Sequence, residues 1–266
     1  MSPDSTSALP FWSDALSFWS DAISRTFLVE ERYKIFLQGF WNTMLITVGA
    51  LLLGVFIGVS VAIVRVYVYQ AQPQPFWKSA GQFLRTGKPF WLRGLLLKSM
   101  DALAELYLTL FRGTPVVVQL MIWSFVILTT TNPILVAIIG FGVNSGAYVA
   151  EIARAGIMAV DKGQTEAGRS LGLSAWTTMR LIVLPQALKN VLPALGNEFI
   201  SLLKETSIVG YIAIVDLTKA AGLVRARTFD AFFPLICVAL VYLALVLLLS
   251  AVQKRLERRM RESDRK

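Results

Sequence analysis

Ile35–Val64 reads IFLQGFWNTMLITVGALLLGVFIGVSVAIV, 30 residues without one Asp, Glu, Lys or Arg. A helix crossing the hydrocarbon core of a bilayer needs about 20 such residues, so this stretch reads as a transmembrane span and the fold as one built in lipid. Composition agrees: 55% of the 266 residues are apolar and 16% are charged, whereas a soluble domain carries about a quarter charged residues. Gly49, Gly54 and Gly58 recur at helical spacing on related faces of the span, which lets another helix approach closely. Its polar residues Gln38, Asn42, Thr43 and Thr47 are expected to face protein and not lipid.

Working outward, Gly113–Ala150 is also poor in charge but too long for one helix. Thr129-Thr130-Thr131-Asn132-Pro133 supplies the break, since proline cannot continue a helix and disfavours helix at the residue before it. The chain is therefore expected to be an all-α integral membrane protein with about five spans, over residues 35–64, 103–128, 134–151, 190–215 and 231–253. Lys204-Glu205-Thr206-Ser207 interrupts the fourth. Cations flanking the spans set the orientation. The connection over residues 65–98 carries Arg65, Lys78, Arg85, Lys88, Arg93 and Lys98 and no acid, and the tail over 254–266 carries seven Lys and Arg. The segment over 1–34 is mainly acidic, with Asp4, Asp14, Asp21, Glu30 and Glu31. These charges predict a cytoplasmic 65–98 connection and C-terminus and an extracytoplasmic N-terminus, which an odd number of spans also requires.

Absent residues exclude several function classes. With no histidine and a single Cys237, the chain has no His-based acid–base catalysis, no disulfide framework and no cysteine metal cluster. Gly81–Pro89 comes nearest to a phosphate loop, but it has one intervening residue too many and Pro89 where a Mg²⁺-binding Ser or Thr belongs. The first residues lack the basic stretch and short apolar core of a secretory signal, so the spans themselves are expected to direct insertion. No nucleic-acid partner is expected, the cations being gathered at membrane margins.

At the N-terminus, Phe11-Trp12-Ser13-Asp14-Ala15-Leu16-Ser17 nearly repeats as Phe18-Trp19-Ser20-Asp21-Ala22-Ile23-Ser24. At 100° per residue the apolar positions fill one arc and Ser and Asp the other. Such a helix suits the outer membrane interface; a mobile tail with a local duplication is the other reading.

The most informative segment is Glu166-Ala167-Gly168-Arg169-Ser170-Leu171-Gly172-Leu173-Ser174, followed by Ile182-Val183-Leu184-Pro185. Asp161 to Leu171 reads as a short amphipathic helix, Gly172 as its left-handed stop and Ser174 as the cap of a helix from Ala175. Pro185 is expected to end that helix and to start the fourth span. A folded helix–turn–helix over 161–185, on the cytoplasmic side, is a docking surface. Ionisable groups inside spans are costly and mark functional candidates. Arg112, Lys204 and Glu205, with Gln119, Asn144, Tyr148 and Glu151, form the candidate translocation pathway. Arg112, next to the bend expected at Gly113 and Pro115, reads more readily as a structural residue that stabilises a dimer, and Glu151 and Arg154 at i, i+3 also read as a plain ion pair. Asp216, Lys219, Arg225, Arg227 and Asp230 fall in the outer connection between the last two spans, where mixed charge suits a solvated loop.

The spacing of Glu166-Ala167, Gly172, Ile182, Leu184 and Pro185 resembles the Glu-Ala-Ala coupling loop of ABC importer permeases, with Gly168 where the family has Ala, a change costing a helix up to about 1 kcal/mol. Phe111-Arg112-Gly113-Thr114-Pro115 with Gln119, Asn144-Ser145-Gly146-Ala147-Tyr148 with Glu151, Lys162-Gly163-Gln164, Pro185-Gln186-Ala187 and Leu203-Lys204-Glu205-Thr206-Ser207 look like the polar amino-acid, histidine/glutamine-type permeases. The resemblance runs from about Gln38 to Arg259. It implies a type I ABC importer permease fold, multi-pass in a bacterial plasma membrane, with Glu166, Ala167, Gly168, Leu171, Gly172, Leu184 and Pro185 as the ATPase-coupling set. Implied partners are two ATP-binding cassette ATPase subunits, a second permease subunit (the same chain or a related one), an extracytoplasmic binding protein and an amino acid. ATP and Mg²⁺ then belong to the ATPase; this chain holds no cofactor or metal and moves its cargo by alternating access without catalysis. The N-terminal segment and the long Gln70–Leu97 connection depart from the family pattern. Competing readings are a permease for another small polar solute, an ATPase-independent carrier or channel, and a membrane scaffold.

Overall fold

The computed structural model describes residues 11–71 and 90–262. In chain order its α-helices are α1 (Phe11–Ile23), α2 (Tyr33–Ala71), α3 (Phe90–Gly113), α4 (Val116–Ile122), α5 (Pro133–Met158), α6 (Lys162–Ser170), α7 (Ala175–Thr178), α8 (Leu184–Glu205), α9 (Leu217–Thr228) and α10 (Phe232–Glu262). Gly81–Pro89 and the end of the basic tail lie outside the described residues.

The uncharged run at 35–64 is the middle of α2, whose 39 residues measure roughly 58 Å, about twice the hydrocarbon thickness. Its most extensive partner is α5, running parallel to it. The glycines make this contact: a Cβ on Gly58 would stand 2.6 Å from Val149 Cβ and 2.7 Å from the Gly146 carbonyl, and one on Gly54 3.1 Å from Ser145. In lipid, where burying apolar surface drives nothing, van der Waals contact of this closeness is what joins helices. Thr43 and Thr47 are fully buried and donate to the carbonyls of Gly39 and Thr43 in their own helix, while Asn42 donates to the Val215 carbonyl at 2.8 Å. Gln38 differs from expectation: it lies on the exposed side of α2, in the second turn.

Around the α2–α5 pair, α3 and α8 run antiparallel to both, and α10 lies outermost with most of its apolar face uncovered. The chain thus enters α2 at one end of the bundle and leaves α10 at the other. Ile46 and Ala50 of α2, Leu120 of α4, Ala137 and Phe141 of α5 and Leu202 of α8 form the main core. A second core joins Phe36, Leu217, Ala220, Val224 and Val238, tying α9 to the start of α2 and to α10.

The 103–128 stretch is two helical runs meeting at 107° between Gly113 and Val116, the bend that Gly113 and Pro115 call for. The start of the fourth span and the burial of Asp216 depart from the sequence reading. The fourth span does not start at Pro185: the helix begins at Ala175 and passes into α8 through a wide π-helical turn, Met179–Val183, which lets the proline enter without a break. Past Glu205 it tightens into a 3₁₀ turn, Thr206–Ile212, ended by Ala213 at φ +64°. Asp216 is not in a solvated loop. It is fully buried and caps α9, accepting from the Thr218 and Lys219 amides at 2.9 and 3.1 Å, and Gly39 of α2 presses on its backbone.

The repeat at the N-terminus is helical. Trp19 meets Phe233 of α10 with ring centroids 5.8 Å apart and Ala22 is buried, while Leu16, Phe18 and Ile23 stay exposed on the flanks. Arg32, also buried, donates to the Arg25 carbonyl at 2.8 Å, and Glu30 pairs with Arg32 and with Arg227 of α9, at 3.4 Å each.

Gly58→Ala is expected to lose about 1–3 kcal/mol by overpacking against Val149, read as a lower unfolding temperature in detergent by tryptophan fluorescence. Gly94→Ala, where nothing stands within 4 Å, is expected to lose nothing, since alanine is the better helix former. Equal behaviour of the two variants contradicts the close contact of α2 and α5.

Candidate coupling hairpin and polar groove

The segment over 161–185 folds as its local chemistry dictates. Asp161 caps α6 by accepting from the Gly163 amide at 2.6 Å, and Ser174 caps α7 by accepting from the Thr177 amide at 3.0 Å. Between them Gly172 takes φ +82°, and the Gly172 and Leu173 amides donate back to the Arg169 and Gly168 carbonyls. Gly168 is the one buried residue of α6; a Cβ there would meet Thr178 at 2.8 Å and Ile182 at 2.9 Å. Its place is therefore set by contact with the second arm, not by a looser helix. The hairpin leaves its outer side bare: Leu171 is 81% exposed, Trp176 73% and Leu181 63%. Glu166, Ala167, Leu184 and Pro185 are exposed beside them.

At the bend after α3, Pro115 has no N–H to give the Phe111 carbonyl four residues back. That carbonyl accepts instead from Gln119 Nε2 at 3.0 Å and Asn144 Nδ2 at 2.8 Å. Gln119 also donates to the Thr114 hydroxyl at 2.7 Å, and its own amide oxygen accepts from Asn144 at 2.9 Å. Both amides are buried, 6% and 4% exposed. Gln119 and Asn144 are thus assembled as a staple across the bend.

Arg112, Tyr148 and Glu151 come together elsewhere, along an open groove of about 450 Å³ that Arg65, Glu105 and Thr109 also line. The Arg112 guanidinium stands 5.5 Å from the centre of the Tyr148 ring, a cation–π distance. Glu151 accepts from Arg154 Nε at 3.1 Å and Nη2 at 2.5 Å. A bidentate pair of this kind fixes the two charges in one geometry beside the groove.

Lys204 and Glu205 stand apart from that groove, exposed in the last turn of α8 beside the buried Leu202 and Leu203. Glu198, two turns earlier, was not singled out by spacing; it accepts from Ser145 Oγ of α5 at 2.7 Å. Also missing from the sequence-derived set are Arg65, Glu105 and Thr109. The signal for Glu105 and Thr109 is the regular three- and four-residue spacing Lys98, Asp101, Glu105, Thr109, Arg112 along α3.

Residues 94–262 match the family described as binding-protein-dependent transport system inner membrane component. A putative glutamine transport system permease protein of Rickettsia bellii is 41% identical over 172 residues, which cover 61% of this chain and 77% of that protein. An arginine transport system permease protein of Bacillus subtilis is 42% identical over 166 residues, covering 61% and 76%. Among solved structures, an amino acid ABC transporter crystallised with histidines superposes with a TM-score of 0.72 at 34% identity, covering 88% of this chain and 98% of that one. A methionine ABC transporter in an inward-facing conformation shares the fold, with a TM-score of 0.65 at 22% identity over 86% and 97%.

Asn144→Leu orphans part of the Phe111 carbonyl and one Gln119 bond, so a loss of about 1–3 kcal/mol is expected. Gln119→Leu is expected to cost a similar amount, and the double variant less than the sum, with a coupling of about 0.5–3 kcal/mol. Thermal unfolding of the four proteins in detergent measures it; strict additivity excludes the staple.

Proposed function

Because this chain belongs to the family of binding-protein-dependent transport inner membrane components, we propose that it carries a polar amino acid inward by alternating access. It is the permease subunit of an ABC importer, multi-pass in a bacterial plasma membrane, with the type I importer fold. A permease of this kind works with an ATPase and a substrate-binding protein. In the proposed assembly two copies, or this chain and a related one, meet two ATPase subunits, and ATP with Mg²⁺ stays on the ATPases. The amino-acid cargo is supported by relatives named for glutamine and arginine transport.

One observation carries the coupling role: the hairpin of α6 and α7 offers Leu171, Trp176 and Leu181 to the outside at the polar end of the bundle. Apolar side chains clustered so openly beside charged ones mark a protein interface. The proposed surface comprises Glu166, Ala167, Gly168, Leu171, Gly172, Leu184 and Pro185, with Trp176 added. An ATPase-independent carrier has no use for such a hairpin. The same end carries Arg65 of α2 and Lys254, Arg255, Arg258 and Arg259 of α10, which supports a cytoplasmic placement and an extracytoplasmic N-terminus.

A second subunit is supported by α8. Lys204 and Glu205 are exposed at the end of α8, beside the buried Leu202 and Leu203, and lipid is an expensive environment for them. Facing a second copy across a hydrated path, they have water and each other. Arg112, Tyr148 and Glu151 are the groove residues proposed to meet the cargo; Gln119 and Asn144 shape the bend beside it.

Leu171→Asp and Trp176→Asp are expected to leave the permease folded, since both side chains are exposed, and to lower recovery of the ATPase on the tagged permease about tenfold or more, as loss of an interface anchor does. Gly172→Val, strained at φ +82°, is expected to do the same. Quantitative co-purification, with size-exclusion profiles as the folding control, tests this; wild-type recovery of the ATPase in all three variants removes the hairpin from the coupling interface.

A further inference from the structure

The groove does not end at Glu105. It continues into a second cavity of about 500 Å³ toward the hairpin end, and the two share Arg65 and Glu105 as lining. Lys98, Asp101, Arg154 and Tyr69 complete the polar lining of the second cavity. Along α3 the charged positions 98, 101, 105 and 112, with Thr109, fall within one arc of about 80° at 100° per residue. Leu95, Leu103, Leu106 and Leu110 fill the exposed arc beside it, and Leu97, Ala104 and Leu108 the buried one. One helix therefore presents lipid, core and a polar trough on three separate faces.

Two of the trough's charges are already used by two others. Arg65 Nε donates to Asp101 at 3.2 Å, and Arg154 holds Glu151. Among the described residues Lys98, Glu105 and Arg112 form no ion pair. What is left over is a cation, an anion and a cation, in that order along α3, each two helical turns or about 10 Å from the next. Long Lys and Arg side chains reach most of that distance, so both cations can close on a ligand centred at Glu105.

Resting on the amino-acid reading above, we propose that this trough selects amino acids whose side chain ends in a hydrogen-bond acceptor, an amide or a carboxylate, over cationic ones. The ligand's ammonium sits at Glu105. Its α-carboxylate lies on one side, toward Arg112, and its side-chain oxygen on the other, toward Lys98. The ligand pattern acceptor–ammonium–acceptor is the complement of cation–anion–cation. A lysine or arginine ligand brings a second cation against Lys98 or Arg112, and like charges brought face to face are disfavoured. Lys98 is the specificity residue, because it meets the part of the ligand in which amino acids differ.

The test is equilibrium dialysis of the purified permease–ATPase complex, without binding protein and without ATP, against ¹⁴C-labelled L-glutamine, L-glutamate and L-arginine. Glutamine or glutamate is expected to bind about tenfold or more tighter than arginine. Lys98→Met is expected to remove that preference, Lys98→Arg to keep it, and Lys98→Glu to turn it toward arginine. Equal or tighter binding of arginine by the wild type, no binding of any of the three, or an unchanged preference in Lys98→Glu overturns the proposal. The amino-acid reading is checked separately, by ATP-driven uptake of a labelled mixture of the twenty amino acids into proteoliposomes holding the complex and its binding protein. Uptake without the preference sinks only the trough; no uptake sinks the reading on which it rests.

Discussion

The carbonyl of Phe111 is an acceptor without a helical donor, because Pro115 stands where the donor belongs. In the interior of a membrane protein no bulk water relieves such a group, so the chain must supply a partner or forgo the bend. It supplies two, from Gln119 and Asn144. Much of the bundle follows from this arrangement. The bend turns α4 across the bundle, which brings Leu120 into the core against Ala137 and Phe141. The bond to Asn144 clamps α3 to α5, with Tyr107 reinforcing the clamp by donating to the Val143 carbonyl at 2.6 Å. The clamp leaves Arg112 at the rim, one residue past the stapled carbonyl, over the Tyr148 ring. The polar residues of this region thus divide by task. Amides, which are neutral and saturate their bonds internally, hold the shape; charged groups, which are costly to bury, line the space left open.

That division explains which features of fold and site are legible in the sequence. Charge-free runs reveal spans because the bilayer imposes the same constraint on every residue in them. Caps and turns reveal the hairpin because their causes are local: Asp161, Gly172 and Ser174 act within a few residues of themselves. Pro115 likewise announces a bend. The partner of the freed carbonyl does not announce itself, since Asn144 is 33 residues away and an Asn in a span reads equally well as a pathway residue. Asp216 fails to read as buried for the same reason, its burial depending on Gly39 and on α9. Lys98 reads as a loop charge when cations are merely counted for orientation; only the spacing it shares with Asp101, Glu105 and Arg112 sets it on a helix face.

Pro185 is the instructive case among the helix boundaries. Proline commonly starts or stops a helix, and the local reading places a span boundary there. A π-helical turn at Met179–Val183 changes the outcome. Its wider winding accommodates the residue that lacks a donor, and the helix from Ala175 passes into α8 unbroken. Gly168 shows the reverse situation. As a helix residue it looks like a weakness, but its missing side chain is what lets α6 lie against Thr178 and Ile182.

These two features bear on how a push at the hairpin reaches the rest of the molecule. Energetic coupling between distant sites is carried by rigid elements and packed contacts. From Ala175 to Glu205 the chain is one helical run of 31 residues with Pro193 inside it, roughly 46 Å long, with the hairpin at one end and Lys204 and Glu205 at the other. A break at Pro185 would have made the hairpin a loose appendage; the π-helical turn makes it a lever. The rod is keyed to α5 where Val191 fills the space beside Gly156, and again where Ser145 binds Glu198. Since α5 also carries Tyr148, Glu151 and Arg154, the rod packs against the helix that forms one wall of the trough, and the Asn144 clamp ties that wall to α3, which carries the other. In the proposed cycle a push on the hairpin reaches the trough through these contacts, because α8, α5 and α3 are joined in series by Ser145–Glu198 and Asn144–Phe111.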